Sequence, residues 1–174
     1  TSAPITVKAT LVAPFIDTAY YLIGNMNGWN TDALIKLNHS GADIYDDPVF
    51  STIIEVPADC YWKVIPQINV TEGNVWNNNN VLGCEENGNT DLTGKLVINP
   101  NPEPGAMRIE NAGWVKISLN MMDYTYTVEL LGEVSPYLYT PGNHQNWTPA
   151  TSVKLYSSDF MNYSGYLSLD GEFK

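Results

Sequence analysis

Val115-Lys116-Ile117-Ser118-Leu119-Asn120 sets an apolar side chain at every second position, and Tyr124-Thr125-Tyr126-Thr127-Val128-Glu129-Leu130 repeats the pattern a few residues on. Successive side chains of a strand point to opposite faces, so this period buries one face and wets the other. Ile5-Thr6-Val7-Lys8-Ala9-Thr10-Leu11 alternates in the same way. Outward from these segments, strands are predicted near 19–24, 34–38, 49–56, 60–66, 94–98 and 106–110. The breaks carry turn residues, at Asn27-Gly28, at Asn87-Gly88 and along Asn99-Pro100-Asn101-Pro102-Glu103-Pro104-Gly105. Helical periodicity is nowhere sustained for three turns. The predicted class is all-β: an antiparallel, immunoglobulin-like β-sandwich.

An internal repeat divides the chain. Tyr21-Leu22-Ile23-Gly24-Asn25-Met26-Asn27-Gly28-Trp29 is echoed by Tyr139-Thr140-Pro141-Gly142-Asn143-His144-Gln145-Asn146-Trp147. Gly24 and Gly142, Trp29 and Trp147, and Lys36 and Lys154 all stand 118 positions apart. Trp62-Lys63 pairs with Phe173-Lys174 at the shorter offset of 111. A period of this length is one sandwich domain. Residues 1–132 therefore read as one complete domain, and 133–174 as the opening strands of a second, incomplete one. A few strands do not bury a core alone. The second part is expected to be disordered, to pack on the first, or to be completed by another chain in a dimer.

Composition narrows the partners. Hydrophobic residues make up 44% of the 174, enough for a packed core, while charged residues make up only 16%. Asn, Thr, Ser, Gly and Tyr fill the gap with neutral hydrogen-bonding surface, which suits sugars better than ions. The net charge of -11 repels a phosphate backbone, so nucleic acid is excluded as a partner. No apolar run is long enough to span a bilayer as a helix. Cys60 and Cys84 lack metal or redox spacing. His39 and His144 sit in loop sequence without triad or zinc spacing. No metal, cofactor or catalytic residue is expected, and the chain reads as no enzyme.

Sugars present flat C–H faces ringed by hydroxyls, so a site for them needs exposed aromatic rings flanked by amides or a lysine. The first domain offers Trp29 after the turn Gly24–Gly28, Lys63 in Tyr61-Trp62-Lys63-Val64, and Trp76 at the head of Trp76-Asn77-Asn78-Asn79-Asn80. Trp62, on the opposite face from Lys63, is expected in the core, and Trp114 outward by parity.

The order Gly-x-x-x-Gly-Trp, Trp-Lys on a strand, then a Trp-Asn loop resembles starch-binding β-sandwich modules. With Thr18-Ala19-Tyr20-Tyr21-Leu22-Ile23-Gly24 and Asn111-Ala112-Gly113-Trp114-Val115-Lys116-Ile117 it is similar to the SusE/SusF-type surface lipoproteins of Bacteroidetes. The resemblance implies non-catalytic capture of a starch-like α-glucan or maltooligosaccharide. Trp29 and Trp76 would be the platform, Lys63 the clamp, and one of Asn77, Asn78 or Asn80 the amide. Trp147 and Lys174 would begin a second site whose third partner lies beyond residue 174. It also implies an N-terminal lipid anchor ahead of Thr1, the extracellular face of the outer membrane, and neighbouring outer-membrane uptake proteins. Two readings compete with it: a protein-binding immunoglobulin-like adhesion or scaffold domain, and a glycoside hydrolase, which needs two carboxylates set across a cleft.

Overall fold

The computed structural model describes residues 16–98, 101–168, 171, 172 and 174. The strand expected at Ile5–Leu11 lies outside them. Eight strands of the first part form two antiparallel sheets. One carries β1 (Tyr20–Gly24), β2 (Ile35–Lys36), β4 (Cys60–Pro66) and β6 (Met107–Ile109), in the order β2-β1-β4-β6. The other carries β3 (Val49–Val56), β5 (Thr93–Lys95), β7 (Gly113–Asn120) and β8 (Thr125–Leu130), in the order β3-β7-β8-β5. The predicted β-sandwich is the observed fold.

The alternation in β7 and β8 places Val115, Ile117, Leu119, Tyr126 and Val128 in the core. They meet Tyr20, Leu22, Trp62 and Val64 from the opposite sheet. Aromatic pairs bridge the two sheets, Tyr20 edge-on to Phe50 at 4.8 Å and Trp62 edge-on to Tyr126 at 5.6 Å. Such contacts add to the burial of apolar area that drives the sheets together. Cys60 and Cys84 are free thiols at this interface, and burial pushes both above the usual thiol range.

β1 and β4 do not alternate, because both their faces are covered. Leu22, Trp62 and Val64 enter the main core. Tyr21, Ile23 and Ile65, on the other face, form a second apolar cluster with Trp29, Leu34, Val70, Val75 and Val81. The segment that supplies the last three begins with the single-turn helix α1 (Gln67–Thr71) and returns to the sheet where Leu82 exchanges backbone hydrogen bonds with Val64. This small outer cluster contributes Trp29 to the site described below.

The described residues from 133 on repeat the pairing of β1 with β2. β9 (Tyr137–Thr140) pairs with β10 (Val153–Tyr156) in the register Tyr139↔Lys154 and Thr140↔Val153. β1 and β2 pair as Tyr21↔Lys36 and Leu22↔Ile35, the same register shifted by the repeat. The Lys174 N–H donates to the Pro141 carbonyl at 3.0 Å, which matches the pairing of Lys63 with Ile23. Two side chains of this part touch the first part. Phe160 lies edge-on to Trp114 at 4.6 Å, and Met161 Sδ accepts from Asn38 Nδ2 at 3.6 Å. Trp114 does point out of the sandwich, but Phe160 occupies its ring.

Candidate functional site

The turn after β1 aims the first aromatic. Gly24 passes so close to the Tyr61 carbonyl that a Cβ there would collide with backbone. Asn25–Asn27 form one 3-10 turn, Gly28 takes φ 64°, and Trp29 follows at φ 57°. Its N–H closes the turn on the Gly24 carbonyl at 2.8 Å. A bulky residue in the left-handed region costs on the order of 1–3 kcal/mol. The turn tolerates this because Asn27 pins both ends. Its Oδ1 accepts from the Gly24 N–H at 3.0 Å, and its Nδ2 donates to the Ala33 carbonyl at 2.8 Å. The second copy has the same geometry: Asn146 at φ 53°, Trp147 at φ 57°, and Gln145 in the pinning role of Asn27.

The second aromatic arrives on the loop after α1. Asn69, wholly buried, organises this loop. Its Nδ2 donates to the carbonyls of Val75 at 3.0 Å and Asn77 at 3.2 Å, and its Oδ1 accepts from Asn80 Nδ2 at 3.0 Å. Trp76 is thereby held beside Trp29, 41% exposed, with its ring centroid 6.0 Å from that of Trp29 and the two planes inclined by 33°.

Lys63 lies on β4 between Tyr61 and Ile65, on the outer face, directly opposite Ile23. Its stem is buried, with only 7% of the residue exposed, and its Nζ lies 3.5 Å from Glu103 Oε2. Trp29, Trp76, Lys63 and Asn78 line one open cleft of about 630 Å³, together with Asn25, Tyr61, Asn87, Glu103 and Ala106.

The structure separates the three candidate asparagines. Asn77 Oδ1 accepts from the Asn79 N–H at 3.2 Å, inside the turn. Asn80 is bound to Asn69. Asn78 lines the cleft and has no hydrogen bond to another described residue. Trp62 is in the core as expected. Trp147 is exposed, and its Nε1–H donates to Asn143 Oδ1 at 2.7 Å; Lys174 is exposed and its N–H donates to the Pro141 carbonyl.

Sequence reasoning missed Asn25, Tyr61, Asn87 and Glu103. Asn25 Oδ1 accepts from the Tyr61 N–H at 3.0 Å, and Asn87 Oδ1 from the Ala106 N–H at 2.9 Å. Arg108 stands 5.8 Å from the Tyr61 ring centre and is itself paired with Asp59 at 3.2 Å. Glu103 reaches the cleft because Gly105 and Cys84 exchange backbone hydrogen bonds, a pairing with no signal in either segment alone.

Comparison with known proteins adds three findings. Residues 15–130 match a family model described as SusF, first starch specific CBM, that is, a carbohydrate-binding module. A search of curated proteins returns no match. Among solved structures the chain is similar to SusF from Bacteroides thetaiotaomicron, at 21% identity and a TM-score of 0.57. That likeness covers 82% of this chain and 32% of the other, so the present chain spans about a third of its length.

Proposed function

This chain belongs to the family of the first starch-specific carbohydrate-binding module of SusF, and from that premise we propose that it binds α-linked glucan, without cleaving it, in the cleft of Trp29, Trp76, Lys63 and Asn78. One observation carries the proposal: two indoles 6.0 Å apart and tilted by 33° share a cleft with a nearly buried lysine. Each ring offers a flat apolar face to the C–H face of one sugar. The tilt suits an α-1,4 chain, which curves from one glucose to the next, better than the flat ribbon of a β-1,4 glucan. Lys63 donates to hydroxyls at the sugar edge, and Asn78 supplies both a donor and an acceptor. Lys63 comes presented at low entropic cost, since its stem is already immobilised by packing. A binding role without hydrolysis is further supported by the carboxylates: among the described residues lining the cleft there is Glu103 alone, and glycosidic cleavage takes a pair.

We further place this module in a tandem series at a cell surface, with the domain boundary near Gly132-Glu133 and a second site beginning at Trp147 and Lys174. The repeated turn and strand register support that reading. A shallow open cleft binds weakly on its own, and linking several such modules on one polymer raises avidity.

Isothermal titration with maltoheptaose and with cellohexaose tests the proposal. Maltoheptaose should bind at one site with a Kd on the order of 0.1 mM. Cellohexaose should bind at least tenfold more weakly, and equal affinity for the two would contradict the role given to the tilted rings.

A further inference from the structure

The polar groups of the cleft are unequally divided between donors and acceptors. Lys63 carries only donors. Asn25 and Asn87 each already accept one backbone N–H, from Tyr61 and Ala106, which turns their carbonyl oxygens toward the backbone and leaves their NH₂ groups as the unengaged ends. Asn78 and the Tyr61 hydroxyl are neutral and accept weakly. Every sugar hydroxyl carries a hydrogen that needs an acceptor on leaving water, and an unmet one costs affinity. Among the described lining residues the one anionic acceptor is Glu103, which is largely exposed and stands 3.5 Å from Lys63.

We propose that Glu103 is a ligand-binding residue that sets specificity: its carboxylate accepts from one hydroxyl of a bound glucose while Lys63 donates to the neighbouring hydroxyl. A cation and an anion 3.5 Å apart are close enough to reach two adjacent hydroxyls of one sugar, and they impose opposite senses on the two hydrogen bonds. Charge assistance makes each bond stronger than a neutral pair. Because the carboxylate is already beside the ammonium, no ionic partner must be broken for sugar to enter; the hydroxyls add to the pair. Glu103 comes from a different part of the chain than the tryptophan loop and lines the same cleft. This inference rests on the reading of the cleft as a glucan site.

The test is titration of maltoheptaose into the full chain, with Glu103→Gln, Glu103→Ala and the unmutated protein compared, and thermal melts run in parallel. Glu103→Ala should weaken binding about tenfold, the size expected for one lost charge-assisted hydrogen bond. Glu103→Gln, which keeps an acceptor oxygen without the charge, should fall between the two. Melting points should stay level, since the side chain is mostly in water. Unchanged or tighter binding by Glu103→Ala would overturn the proposal, because a mere counter-ion of Lys63 competes with sugar and its removal frees the lysine. If the unmutated chain binds no glucan, the underlying reading fails and this inference with it, an outcome distinct from a binding-competent chain indifferent to Glu103.

Discussion

Trp76→Ala should weaken maltoheptaose binding about thirtyfold while moving the melting temperature by no more than about 2 °C. The two effects separate because of where the ring sits. Trp76 stands on a loop, with one side near Trp29 and 41% of its surface in water. The outer cluster is built from Trp29, Val70, Val75 and their neighbours, and packs without it. Truncation therefore removes stacking area for the sugar, worth about 2 kcal/mol for an aromatic anchor, and little of the protein's own packing. Trp29→Ala is not equivalent. Its ring belongs to the outer cluster and its backbone to the strained turn, so its loss should lower stability as well as affinity. Affinity unchanged in Trp76→Ala would remove this ring from the site.

Asn69→Ala should do the opposite and damage stability and binding together. The side chain is inaccessible to water and holds three groups of the loop: two carbonyls and the amide of Asn80. Its removal leaves buried polar atoms unpaired, and the combined cost is about 3 kcal/mol. For a sandwich of this size the melting temperature should drop by about 10 °C. Hydrogen exchange should quicken first between residues 69 and 82, the segment that Asn69 ties down, before the central strands respond. Glucan affinity falls with it, since Trp76 is carried by that segment and its position relative to Trp29 is no longer set. A melting temperature equal to that of the unmutated chain would mean that the apolar contacts of Val70, Val75 and Val81 hold the loop without the amide. The same burial explains why the sequon Asn69-Val70-Thr71 is unsuited to carrying a glycan in the folded chain.

How much of this was legible in the sequence depends on how local the signal is. β3 and β4 begin and end where the turn residues around them predicted, at Val49–Val56 and Cys60–Pro66. The period of two named the buried residues of β7 one by one and Tyr126 and Val128 in β8, but Leu130, the last of the alternating set, is 55% exposed at the strand end. The Gly24–Trp29 turn and its copy were also legible, because Gly24 and Trp29 recur at fixed spacing as Gly142 and Trp147. What escaped was assembled over distance. The outer cluster takes isolated apolar residues, Val70, Val75 and Val81, from a segment without strand or helix periodicity. Lys63 was readable as a candidate, but its burial was not, since that cover comes from elsewhere in the chain. Four consecutive asparagines are chemically identical in sequence, and only the turn from Asn77 to Asn80 assigns them different work. Glu103 and Asn87 enter through pairing of the 84–89 and 104–107 segments, which no periodicity announces.

The central claim is that a curved pair of indoles, with Lys63 and Asn78 beside it, receives an α-glucan. The five tryptophans make this directly measurable, because each indole Nε1–H gives its own signal in a ¹⁵N-correlated NMR spectrum. On titration with maltoheptaose, the signals of Trp29 and Trp76 should move together along one saturating curve. Trp62, in the core, and Trp114, covered by Phe160, should stay in place. Movement confined to Trp114 or Trp147, or no movement of Trp29 and Trp76 at saturating sugar, would contradict the account.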